Sequence, residues 1–181
     1  MTKFIQKAGT MFAFMPFMAM PTASFIANIS SFSISPVTKV EISADDIRAE
    51  KAQKIDTYFK ERSMPLSGKG LQFVLVAEKY GIDYTLLPAI AIRESSGGKA
   101  ACGFNPFGWG SCHVHNFQSY DEAIETLGSH LGGAKKSTSR YYAGKTSEEK
   151  LQAYNGTVVP EYPIEVLAIM KSIDSVETYI N

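Results

Sequence analysis

Beyond residue 45 the chain alternates short apolar-striped runs with polar, glycine-bearing breaks, and each run has helical rather than strand spacing. The first covers residues 45–62, where Ile47, Ile55, Tyr58 and Phe59 give an approximate apolar stripe. The segment SMPLSG breaks it at residues 63–68. A second helix is expected over residues 69–79, closed at Tyr80 and Gly81, where glycine suits a left-handed cap. A third begins with Thr85 as N-cap and carries Pro88 at its third position, where a missing N–H costs no intrahelical bond. Residues 86–92 are almost continuously apolar, so this should be the central buried helix. Ser119 with Glu122, and Thr146 with Glu149, have capping-box spacing. Apolar positions follow both: Ala123, Ile124, Leu127 and Leu131 after the first, Leu151 and Tyr154 after the second. A last helix over residues 163–176 would align Ile164, Leu167, Ala168, Met170 and Ile173. Strand patterns are scarce. The expected fold is all-α, with little or no β-sheet.

The first 31 residues follow another rule. Lys3 and Lys7 precede an uncharged stretch rich in Met, Phe and Ala, which exits through the small residues Thr22, Ala23 and Ser24. A basic start, an apolar middle and a small-residue exit form the layout of a secretory signal. The rival is an uncleaved anchor, since the apolar run approaches the ~20 residues a spanning helix needs. Pro16 and Pro21 interrupt that run, each removing a helical hydrogen bond. Residues 32–44 read as a polar linker, leaving residues 45–181 as one domain of ordinary size. The protein is therefore expected to be exported: secreted, periplasmic or held at the cell surface. It would meet a membrane only through the N-terminal segment, if that segment stays attached.

Composition narrows the partners. The chain has 18 basic and 18 acidic residues, and without Lys3 and Lys7 the balance becomes 16 against 18. Neither balance suits a protein that binds nucleic acid by neutralising phosphates. Cys102 and Cys112 sit close together, and in an exported protein such a pair suggests a disulfide that pins one loop. His113 and His115 adjoin Cys112, but the compressed spacing does not match a zinc pattern. No metal or cofactor is expected, and the domain should be a monomer.

The candidate chemistry centres on one carboxylate. Glu94 ends the most apolar helix, where the macrodipole opposes an ionised carboxylate and partial burial beside Ile90 and Ile92 opposes it further. Both effects favour the protonated form, which a general acid needs near neutral pH. After it comes the loop CGFNPFGWGSC, residues 102–112. Phe104, Phe107 and Trp109 offer apolar faces to a sugar ring, while Asn105 and the backbone beside Gly108 and Gly110 offer hydrogen bonds at close approach. Further on, Tyr154 and Asn155 end a helix before Gly156.

Taken in order, YGIDYTLLPAIAIRESSGGK, NPFGWGS, FQSYDEAIETL and AYNG resemble the lysozyme-like superfamily, over roughly residues 50–176. Within it they are most similar to soluble lytic transglycosylase and bacterial glucosaminidase domains. The resemblance implies a helical domain with a catalytic cleft, acting on the β-1,4 linkage between N-acetylated amino sugars of peptidoglycan or a related glycan. It matches Glu94 to the family's catalytic glutamate, Ser95 to the serine after it, and Tyr154 and Asn155 to the pair lining the cleft near the reacting sugar. Where transglycosylases usually carry Gly-Leu-x-Gln-x-Met, this chain has Phe-Gly-Trp-Gly. No motif fixes a second acid. Asp121 and Glu122 belong to a helix N-terminus, and Glu161, close to the Tyr-Asn-Gly turn, is the better candidate. With one sure acid, the substrate's own N-acetyl group is expected to assist. The alternative is a glycan-binding module on the same scaffold, without turnover.

Overall fold

Among the residues described by the computed structural model, 43–111 and 116–178, the chain forms seven α-helices, one π-helical turn and no strand. All of them belong to one unit, Val40–Asn181. The all-α expectation holds. The leader, the linker up to residue 42, Cys112, His113 and His115 lie outside the described residues. No described helix is long and apolar enough to cross a membrane.

The first helix, α1 (Ala44–Glu61), starts one residue before its expected position because Ser43 caps it: the Ser43 hydroxyl accepts from the Asp46 N–H, and the Asp46 carboxylate accepts from the Ser43 N–H. Its inner face is Ala52, Ile55, Tyr58 and Phe59, whereas Ile47 is 43% exposed and stands outside the stripe expected of it. Next comes α2 (Gly70–Tyr80), which ends as expected at Gly81, φ 62°. Its start is capped from a distance. Asp56 Oδ1 on α1 accepts from the N–H groups of Gly68 and Gly70, at 2.7 and 2.9 Å. The two helices approach so closely that a Cβ on Gly70 would lie 2.2 Å from the Ala52 carbonyl oxygen.

The central helix is α3 (Leu86–Ser95), in which every residue from Leu86 to Ala91 is buried. Thr85 does occupy its N-cap, but makes no side-chain cap. Asp83 Oδ1 instead accepts from both the Thr85 N–H and the Thr85 hydroxyl, so the capping chemistry begins two residues earlier than expected. On α4 (Tyr120–Leu131) Ser119 accepts from the Glu122 N–H, while Glu122 reaches past Ser119 to the Gln118 N–H. Only half of the expected box forms there.

A one-turn helix, α5 (Ser139–Tyr142), follows α4. The complete box of Thr146 and Glu149 opens α6 (Ser147–Leu151), which runs directly into the π-helical turn Gln152–Gly156. The last helix, α7 (Tyr162–Asp174), buries Tyr162, Pro163, Val166, Met170 and Ile173. Of the expected stripe, Ile164 is 71% exposed and Ala168 faces solvent, so the buried face is rotated away from them. Helix α3 packs on α7, and α2 lies against α1 and α4. The end of α3 thereby meets the start of α7 and the loop after residue 101.

Candidate active site

The site begins with how α3 stops. Ser96 adopts φ 53°, and the N–H groups of Ser96 and Gly97 close back onto Ile92 and Ala91 carbonyls. Glu94 therefore stands in the final turn, held by the most buried helix of the fold. Ser95 follows it but turns inward. Its side chain is hydrogen-bonded to the carbonyls of Pro106 (2.7 Å) and Ala91 (3.0 Å), and its oxygen accepts from the Gly98 N–H. Expected to contact substrate, Ser95 instead clasps the following loop to the end of α3.

The loop is built the same way. The Asn105 side chain donates from Nδ2 to the Trp109 carbonyl (2.9 Å) and accepts at Oδ1 from the Trp109 N–H (3.1 Å). It is 2% exposed. The amide expected to meet a sugar is thus buried and engaged in closing a turn. Phe107, 1% exposed, is core rather than platform, and its carbonyl accepts the Tyr154 hydroxyl at 2.7 Å. Phe104 stays 44% exposed and packs edge-on against Tyr120. Gly108 and Gly110 turn the chain at φ 63° and 65°. A Cβ on Gly108 would stand 3.7 Å from Glu94 Oε2, so the bare backbone here keeps the carboxylate accessible.

These elements enclose a cavity of about 330 Å³, lined by Glu94, Phe107, Gly108, Trp109, Gly110, Tyr154 and Asn155. Five of the residues singled out from sequence meet there: Glu94, Phe107, Trp109, Tyr154 and Asn155. The Asn155 side chain has no hydrogen bond to the protein among the described residues, which leaves its amide available. Glu161 is exposed at the N-cap of α7 and does not line the cavity. Asp121 pairs with Lys69 at 2.8 Å. Cys102 lies exposed at the start of the loop, and its expected partner Cys112 falls outside the described residues.

The residue missed was Tyr162. The sequence suggested a helix starting at Pro163, but proline is tolerated anywhere in a first turn, and starting one residue earlier makes Tyr162 the first helical residue. The Tyr162 ring stacks on Tyr154 at 5.9 Å, and Tyr154 stacks on Trp109 at 5.8 Å. The Tyr162 phenol interacts with Glu94. Burial first, and that carboxylate second, push its pKa far above the ordinary tyrosine value. Tyr154 is shifted the same way, by burial and then by Glu94. Both phenols therefore stay protonated across the neutral range. Yet Tyr162 Oη and Glu94 Oε1, both buried, complete no hydrogen bond of good geometry. Buried polar atoms left so cost roughly 1–3 kcal/mol each.

A larger cavity, about 480 Å³, is lined by Arg140, Tyr141, Lys145, Glu149 and their neighbours. Its charges are answered locally: Lys145 pairs with Glu149, and Arg140 lies on the Tyr141 ring. No unpartnered buried side-chain atom belongs to its lining.

Fold and site together define an all-α domain with a cleft built around one carboxylate and a run of stacked aromatic rings. Compared with protein-family models, with curated proteins and with solved structures, the chain matches none. The likeness to the lysozyme-like superfamily accordingly rests on the motif residues.

Proposed function

We propose that the protein is a glycosidase cleaving the β-1,4 bond between N-acetylated amino sugars of peptidoglycan or a related glycan, with Glu94 as its general acid and base. The observation that supports this reading is that Glu94 lines a cavity with Tyr154, Asn155 and the glycine-bearing loop, its Oε2 lying 3.7 Å from where a Cβ on Gly108 would stand. At about 330 Å³ the cavity is at the small end of ligand sites, which run to ~1,000 Å³. That size suits the reacting sugar rather than a whole strand.

The single-acid arrangement favours substrate assistance. Two-carboxylate glycosidases keep their acids ~5–9.5 Å apart across one cleft, and among the described residues no second carboxylate lines this one. In the first step Glu94 gives its proton to the leaving oxygen. The bond from that oxygen to C1 breaks with its electron pair going to oxygen, and the neighbouring acetamido oxygen bonds to C1. In the second step water, or an internal sugar hydroxyl, attacks C1 and gives its proton to the Glu94 carboxylate as the acetamido bond to C1 breaks. The Asn155 amide is free to hold the acetamido group. The Tyr154 hydroxyl already donates to the Phe107 carbonyl, so its part is to fix the ring rather than to orient substrate through a free proton. Export by the N-terminal segment would bring the enzyme to such a wall.

Incubating the full-length chain with purified peptidoglycan tests the proposal. Native protein should release fragments, and Glu94→Gln should lose activity by roughly 10²–10⁴-fold, the usual worth of a general acid, while still sedimenting with the glycan. Anhydro ends would identify a transglycosylase and reducing ends a hydrolase. Binding without cleavage by the native chain would refute the enzyme reading and leave a glycan-binding module.

A further inference from the structure

The indole of Trp109 is held by a neighbour that belongs to none of the sequence motifs. Asn105 fixes only the main chain of Trp109, through its N–H and its carbonyl. The side-chain torsions are left to whatever the ring packs against. One neighbour is Tyr154, which is itself tied by its hydroxyl to the Phe107 carbonyl of the same loop. That contact alone would let loop and ring shift together. A second neighbour among the described residues is His130, whose ring centroid lies 4.8 Å from that of Trp109 at an interplanar angle of 44°.

His130 belongs to a separate, anchored element. It occupies the last turn of α4, between Leu127 and Leu131, both 0% exposed. Its own ring plane is set by a hydrogen bond of 2.8 Å between Nδ1 and the Thr138 hydroxyl, on the segment that starts α5. Thr138 orients His130, His130 supports the indole, and the indole lines the cavity that holds Glu94. His130 does not line the cavity.

We propose that His130 is a positioning residue for Trp109: it sets the plane of the indole in the cleft and thereby the affinity for a sugar, without touching the sugar. The affinity part rests on the glycan reading above; the positioning part does not. Trp109 is the only tryptophan in the sequence, so fluorescence of the full-length protein, excited at the red edge where tyrosine does not absorb, reports this ring alone.

The test compares wild type, His130→Ala, His130→Phe and Thr138→Val, each by acrylamide quenching without ligand and by titration with chitotetraose. His130→Ala should raise the quenching constant and red-shift the emission. It should weaken chitotetraose binding roughly two- to tenfold, the worth of one aromatic pair. On peptidoglycan the loss should fall on KM, with kcat unchanged. His130→Phe, which keeps a flat ring, should restore both readouts, and Thr138→Val should move them in the same direction as the alanine variant, by less. A merely structural role would lower the melting temperature without the KM-only loss or the rescue by phenylalanine. Quenching and affinity unchanged in His130→Ala would overturn the proposal, even if that variant melts earlier. Failure of the wild-type chain to bind chitotetraose or peptidoglycan would instead bring down the glycan reading and the affinity part with it, while the ligand-free quenching still decides the positioning part.

Discussion

Replacing Asn105 by alanine separates a loop-building role from a sugar-binding one. The substitution deletes two hydrogen bonds, of 2.9 and 3.1 Å, at a residue 2% exposed. Each such bond contributes about 1 kcal/mol net, and the Trp109 N–H and carbonyl lose their partner as well. The expected loss is about 2–3 kcal/mol. For a domain of this size that lowers the melting temperature by roughly 5–12 °C. Urea unfolding followed by far-ultraviolet circular dichroism measures the global stability, whereas Trp109 emission follows the loop itself. Asn105→Asp provides a sharper control. It keeps the acceptor for the Trp109 N–H but turns a negative oxygen toward the Trp109 carbonyl. At neutral pH it should destabilise at least as much as alanine. In acid the protonated carboxyl can donate again, so the deficit relative to wild type should shrink as pH falls toward about 4, the ordinary aspartate range. An unchanged urea midpoint for Asn105→Ala, with glycan binding alone impaired, would refute the reasoning and return Asn105 to the role first suggested by the sequence.

Three further outcomes are expected. Tyr84, Tyr154 and Tyr162 all have raised pKa values, chiefly from burial. The unfolded chain therefore releases their protons first, so the stability they contribute is complete below about pH 10 and declines above it, by about 1.4 kcal/mol per pH unit for each group; alkaline urea titrations should show that decline. Gly70→Ala should gain roughly 1 kcal/mol of helix propensity, yet lose more than that to the 2.2 Å approach to the Ala52 carbonyl, a net melting-temperature drop readable by calorimetry. Ser96→Gly relieves a positive φ of 53° at the end of α3 and should raise stability by up to about 1 kcal/mol in the same assay.

How much of the molecule was legible follows the range of the interactions involved. Gly81 closes α2, and Thr146 with Glu149 opens α6, because those signals act within a few residues and need no distant partner. The apolar run of α3 announced the central helix for a related reason: a segment without a polar face has only the interior to occupy. Ile47 and Ile164 misled because a helix with several apolar residues can bury more than one face, and only its neighbours choose between them. The cap of α2 by Asp56 was invisible because donor and acceptor lie twelve and fourteen residues apart.

The site divides along the same line. By itself the sequence determined that one carboxylate ends a buried helix, that a glycine-bearing aromatic loop follows, and that a Tyr-Asn pair comes later. Tertiary structure decided what each of these does. It turned Ser95, Asn105 and Phe107 inward, because nearby carbonyls and N–H groups had to be satisfied on burial. It drew Tyr162 beside Glu94 and His130 beside Trp109, pairings of helix and loop that no local pattern encodes. What remains open toward the cavity, the carboxylate of Glu94 and the amide of Asn155, is what packing left unpaired.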